Sequence, residues 1–63
     1  MRNVEKLVQL NKIDETFSQY VNKINNSNEK IDSEEMKIYV QINKLLIEAN
    51  KCIIKQIEIN GEN

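Results

Sequence analysis

The sequence predicts an all-α protein: a two-helix antiparallel hairpin that dimerises into a four-helix bundle. Residues 38–59 repeat an apolar pattern every seven residues, and a second stripe with helical spacing lies within residues 4–24. A polar stretch rich in asparagine separates the two. The 63 residues include one cysteine, no histidine and no proline, so association is the support left to so small a domain. We expect a single domain over residues 1–63.

The first helix is predicted over residues 3–25. Neither glycine nor proline interrupts residues 4–24, and the apolar side chains recur at steps of three and four. They are Leu10, Ile13, Phe17, Tyr20 and Ile24, with Val21 beside them. This arc of roughly 100° suits one neighbouring helix. Val4, Leu7 and Val8 lie outside the arc, so the first turns either fray or contact another surface.

The connection is predicted at residues 26–32, where a left-handed asparagine would end the first helix. Asp32 has the position of an N-cap, and Glu35 three residues later would complete a capping box. Ile31 and Met36 stand at hydrophobic-staple positions. A connection of about seven residues between long helices favours antiparallel packing.

The second helix is predicted over residues 33–59, before Gly61. Each heptad opens with three apolar residues, so the apolar arc spans roughly 240°, far more than one helix covers. We therefore expect a second copy or another protein to cover the rest. An alternative interpretation makes residues 52–60 a strand, because β-branched residues alternate there, although no second strand is visible to pair with it.

The predicted interaction face combines the centre and one flank of this arc with two asparagines that lie within it. Its residues are Tyr39, Val40, Ile42, Asn43, Leu46, Ile47, Ala49, Asn50, Ile53 and Ile54. A buried asparagine at such a position sets register and partner number at a cost in stability. Alternatively, Asn43 and Asn50 rim the interface and bind water. The face would bind the chain itself, a cytosolic protein, or both.

No complete catalytic, cofactor or metal motif occurs in the sequence. Cys52 shares its heptad position with Ile38 and Leu45, which favours a small core residue over a reactive thiol. The acidic pairs at 14–15 and 34–35 lack a converging third ligand. We therefore predict a protein that is not an enzyme, with no catalytic residue, cofactor or bound metal.

Charge and hydropathy bear on partners and location. A net charge of −1 gives no basic excess to neutralise nucleic acid. Lys37, Lys44 and Lys51 recur every seven residues and favour a solvated face; the alternative is a basic ridge, as in RNA-binding helical-hairpin dimers. The sequence shows neither a bilayer-length apolar run nor a signal-peptide core, which predicts a cytoplasmic protein without membrane contact. Its wealth of Asn, Ile and Lys is typical of AT-rich bacterial or phage genomes.

Residues 32–51 resemble the small aspartyl-phosphate phosphatases of the sporulation phosphorelay in Bacillus-like bacteria. That family carries a Ser-Gln-Glu-Leu-Asp motif and an apolar pair on the second helix of a hairpin; here residues 39–43 read Tyr-Val-Gln-Ile-Asn, before Lys-Leu-Leu-Ile. Tyr39, Gln41 and Asn43 replace the serine, glutamate and aspartate of the motif. Because an amide cannot supply the family's carboxylate, the resemblance implies binding to a response regulator rather than dephosphorylation.

Together these patterns predict a small, non-enzymatic regulatory or interaction protein that acts through an apolar helix face. Two alternatives stay open. One is a divergent phosphatase-like regulator of a response regulator, and the other is an RNA-binding helical-hairpin dimer.

Overall fold

Two helices packed side by side make up the computed structural model, which describes residues 1–27 and 30–62. Helix α1 spans Asn3–Asn25 and helix α2 spans Ser33–Asn60. The described residues contain no strand, and the hairpin measures 46 by 17 by 13 Å. The two-helix prediction is confirmed. The strand alternative at residues 52–60 is wrong, because those residues form the last turns of α2.

Helix α1 ends without the left-handed asparagine that the sequence led us to expect. Asn26 follows the helix with right-handed backbone angles, φ −88° and ψ −5°, and its N–H donates to the carbonyl of Asn22. The backbone N–H and the hydroxyl of Ser27 both donate to the carbonyl of Ile24. These bonds satisfy carbonyls of the last turn directly. Residues 28 and 29, also part of the predicted connection, lie outside the described residues.

Helix α2 begins after Asp32, whose backbone is extended and whose carbonyl accepts the N–H of Met36. The Asp32 carboxylate makes no capping hydrogen bond, so the predicted capping box is not formed. Glu35 instead accepts a hydrogen bond from the Tyr39 hydroxyl, one turn further along, at 3.0 Å. The acidic side chains of this turn still stabilise the helix through its dipole, by about 0.3–1 kcal/mol each. Ile31 and Met36 are half-buried, as staple residues are.

The two ends of the chain meet at the open end of the hairpin. The Glu62 carbonyl accepts the N–H of Val4 at 3.2 Å, and its carboxylate lies 3.2 Å from the Arg2 guanidinium. The ion pair is more than half exposed and contributes little. The backbone bond matters more, because an N–H in the first helical turn has no partner within its own helix. The contact shows that the start of α1 lies beside the end of α2, as in an antiparallel hairpin.

The seam between the helices follows steps of three, four or seven residues, as in coiled-coil packing. On α1 the half-buried side chains along it are Leu7, Leu10, Asp14, Phe17, Val21 and Ile24. On α2 they are Met36, Tyr39, Leu46, Asn50, Ile53 and Ile57. The predicted α1 stripe is therefore partly wrong. Ile13 and Tyr20 are exposed, whereas Val4 and Leu7 are half-buried, because the seam continues from Leu10 through Asp14 rather than Ile13.

Candidate interaction surface

The hairpin leaves most of its large apolar side chains in contact with solvent. Among the described residues, no hydrophobic side chain is fully buried, and the one residue with less than a tenth of its surface exposed is Asn3, at 8%. Full burial of a large apolar side chain is worth about 1.5–3 kcal/mol, and none of these side chains realises that in the hairpin alone. Leu45 is 63% exposed and Val40 60%. The two helices therefore form a weak unit with much apolar surface left over.

Contacts between the helices identify the two sides of the hairpin. On one side, the Tyr20 hydroxyl lies 2.9 Å from the Tyr39 hydroxyl, which donates to Glu35. On the other side, Ser18 and Asn22 of α1 line a groove together with Val40 and Asn43 of α2. Phe17 and Val21 line the same groove. Steps of seven residues extend each side along the helices.

The side that carries Tyr20 has exposed apolar residues on both helices. Seven-residue steps lead from Tyr20 to Ile13, and from Glu35 to Ile42 and Ala49. Further exposed residues at steps of three or four from Ile42 extend this apolar surface along α2. We call this exposed set the Tyr20 face: Ile13, Tyr20, Ile38, Ile42, Leu45, Ala49, Cys52 and Ile59. Its position on both helices makes it two helices wide.

The opposite side is apolar on α2 alone. Its exposed row, the Val40 face, consists of Val40, Ile47 and Ile54, seven residues apart. Three residues before each of them stand Lys37, Lys44 and Lys51, all exposed. Residues three apart are neighbours on a helix, so the lysines border this row directly. The α1 side of the groove is polar, with Ser18 and Asn22.

The predicted interaction face is divided by the structure among three surfaces. Half-buried in the seam are Tyr39, Leu46, Asn50 and Ile53. Ile42 and Ala49 belong to the Tyr20 face, and Val40, Ile47 and Ile54 form the Val40 face. Asn43 is exposed and lines the groove beside Val40. Of the two asparagines, only Asn50 is drawn into the seam.

Sequence reasoning left several exposed apolar residues out of the predicted face. On α2 these are Ile38, Leu45, Cys52 and Ile59, and on α1 Ile13 and Tyr20. The signal for the four residues on α2 was their shared heptad position at the other edge of the α2 arc. Cys52 was predicted to be a core residue; in the hairpin it is exposed, because its position points away from α1.

The Asn50 side chain places a polar atom inside the seam. Its Oδ1 is buried and has no hydrogen-bond partner among the described residues. A buried carbonyl oxygen without a partner costs about 1–3 kcal/mol. The hairpin tolerates this cost in a seam that is otherwise mostly apolar. That a buried asparagine here sets the register remains a prediction.

Three aromatic rings meet near the closed end of the hairpin. The Tyr39 ring lies edge-on to Phe17 at 5.9 Å between centroids and to Tyr20 at 5.7 Å. The Tyr39 hydroxyl lies 2.9 Å from the Tyr20 hydroxyl and 3.0 Å from Glu35 Oε1, and in the tyrosine pair either oxygen can be the donor. The hydrogen bond with Tyr20, followed by partial desolvation and the nearby Glu35 carboxylate, raises the pKa of Tyr39 well above its ordinary value.

We expect this hydroxyl chain to appear in an alkaline titration. In the folded protein, phenolate absorbance should show Tyr39 ionising above the ordinary tyrosine pKa of about 10. Since the folded-state pKa is raised, its contribution to stability is present below about pH 10 and is lost as the pH rises through the folded-state pKa. Tyr20→Phe should lower the pKa of Tyr39. Identical titration of Tyr39 with and without Tyr20 would contradict the chain.

The fold and its exposed surface define a class: a small two-helix hairpin with apolar surface on both sides. No protein-family model matches the sequence, no curated protein matches it, and no solved structure matches the fold. Within residues 1–27 and 30–62, no three His, Cys, Asp or Glu side chains group closely enough to hold a metal ion. In the same ranges, neither helix has an apolar stretch long enough to cross a bilayer.

Proposed function

We propose that this chain is a small, non-enzymatic interaction protein that binds a second copy of itself and closes a four-helix bundle. The expected setting is a bacterial or phage cytoplasm. One observation carries the proposal: the described hairpin buries no hydrophobic side chain fully, yet exposes large apolar residues along both sides. Surfaces of this kind mark protein interaction sites or cause aggregation.

The energetics of the hairpin support association. Most of the stability of a protein helix comes from packing an apolar face rather than from helix propensity. Here the seam residues are only half-buried, and Asn50 Oδ1 weakens the seam further. A second hairpin stacked on the first would bury exposed apolar side chains and cover the open edge of the seam. Association would therefore couple the regulatory function of the protein to its folding, because the protein would be well folded only when bound.

Sedimentation over a wide concentration range, paired with circular dichroism, tests the proposal. We expect a particle of two 7.4 kDa chains at high concentration. On dilution, dimer and helix signal should fall together, because association stabilises the folded state by mass action. A cooperatively folded monomer at micromolar concentration would refute self-association. The exposed apolar surface would then be assigned to a different protein.

The two alternatives from the sequence stay predictions. The phosphatase-like alternative is identified by release of phosphate from a phosphorylated response regulator. RNA binding would be salt-sensitive and would be lost on replacing Lys37, Lys44 and Lys51.

A further inference from the structure

We propose that the Tyr20 face closes the dimer, with α2 of each copy lying on α1 of the other about a two-fold axis parallel to the helices. This inference rests on the proposed function and names its surface and arrangement. The occupant of the Tyr20 face is a second copy of this chain.

The choice of face follows from what each side would have to bury. The Tyr20 face has exposed apolar residues on both helices, so two copies can stack as layers two helices wide. The charged side chains beside this face are Lys6 near the open end, Glu35, which already accepts a hydrogen bond from the Tyr39 hydroxyl, and Lys12, which lines the α1 groove. Closing the Val40 face would instead bury the polar α1 side of its groove, with Ser18 and Asn22, and would leave three lysines of one sign along its border. Polar groups buried without partners are costly.

A shallow groove on α1 supplies the receiving surface. It is lined by Gln9, Lys12, Ile13, Thr16, Phe17 and Tyr20. On α2 the most exposed side chain in the middle of the Tyr20 face is Leu45, with the small Ala49 four residues further on. A projecting side chain on one helix and a groove on the other are the two halves of knobs-into-holes packing.

The two-fold symmetry places the projecting Leu45 of one copy and the α1 groove of the other at the same position along the bundle axis. Rotation about an axis parallel to the helices moves no residue along that axis, so the register of the dimer is that of the hairpin. Tyr20 lies level with Tyr39, and Arg2 with Glu62. Counting equal steps inward from these pairs puts Leu45 level with residues 14–19 of α1, inside the groove.

The charges at the outer edges agree with this register. Glu48 and Lys55 stand three residues beyond Leu45 and Cys52, at the outer border of α2. The same counting sets Glu48 level with Lys12 of the second copy, within a turn of helix, and Lys55 level with Glu5 of the second copy. Both pairs are opposite in sign. Within one hairpin the Lys12 and Glu48 positions face away from the seam on opposite edges, so they cannot pair there.

Charge reversal tests the arrangement in the full chain. Lys12→Glu and Glu48→Lys should each raise the dimer Kd about tenfold, because the pair occurs twice by symmetry and becomes repulsive. The double variant should return the Kd to near its original value. Lys37→Glu, beside the Val40 face and distant from Glu48, is the matched control and should leave the Kd nearly unchanged. Failure of the double variant to recover, or an equal effect at Lys37, would overturn the arrangement.

A covalent test reports which helices are neighbours in the dimer rather than how stable the dimer is. With Cys52→Ser as background, Lys12→Cys combined with Glu48→Cys should oxidise to a disulfide-linked dimer, two cysteine thiols losing two electrons and two protons to an added mild oxidant. Neither single cysteine should cross-link efficiently. Cross-linking of Glu48→Cys alone would place α2 on α2 and refute the arrangement. A dimer that persists without the predicted cross-link would refute this inference alone. Absence of any dimer would refute the proposed function.

Discussion

Truncating either Leu46 or Ile53 to alanine is expected to destabilise the protein by about 2–5 kcal/mol and to shift it toward unfolded monomer. Both side chains are half-buried in the seam, one on each side of Asn50. They supply apolar contacts around Asn50 Oδ1, which has no hydrogen-bond partner among the described residues. Stacking a second hairpin would complete their burial, so each truncation weakens hairpin and dimer together.

Chemical denaturation at fixed protein concentration measures this cost, with sedimentation reporting the mass. Val40→Ala is the matched control, because Val40 is 60% exposed and borders the polar side of the groove. Its cost should stay within about 0.5 kcal/mol. If Leu46→Ala and Ile53→Ala proved as mild as Val40→Ala, the seam would not be the centre of stability.

A charge at Leu45 is expected to abolish the dimer. Leu45→Glu would place a carboxylate where we propose the α1 groove of the second copy receives an apolar side chain. An unpaired buried charge costs about 3–5 kcal/mol, which raises the dimer Kd at least about a hundredfold. Ile47→Glu, on the Val40 face of the same helix, should change the Kd little. Both residues are exposed in the hairpin, so a folding defect common to both is not expected.

The two substitutions decide between the faces when sedimentation is run on both. A large effect at Leu45 with a small one at Ile47 supports closure by the Tyr20 face. The reverse result would assign the dimer to the Val40 face, and the Tyr20 face would lose its proposed occupant.

Where each helix begins and ends could be argued from local sequence. Asp32 precedes α2 as an N-cap residue does, and Gly61 follows it with φ 74°, the only positive φ among the described residues. These positions depend on backbone preferences of single residues and on apolar spacing within one helix. Such signals act over a few residues and need no knowledge of the neighbouring helix.

Which side chains meet across the seam was harder to predict. The seam passes through Asp14 and Asn50, although Ile13 and Ala49 lie one residue before them. Helix rotation is decided by the summed packing of the whole repeat, so a polar residue can be drawn inward while an apolar neighbour stays exposed. Sequence spacing on α1 alone could not show this, because the partner's repeat sets the rotation.

The sequence by itself determined that this protein is two apolar-faced helices with more apolar surface than one hairpin can cover. Only the tertiary structure decided how that surface is divided, and it also decided the partner of Glu35. That carboxylate was expected to cap α2, yet it accepts a hydrogen bond from the Tyr39 hydroxyl, which is also hydrogen-bonded to the hydroxyl of Tyr20 on the other helix. The physical reason is competition: a side chain with several acceptable partners takes the one that packing brings within reach.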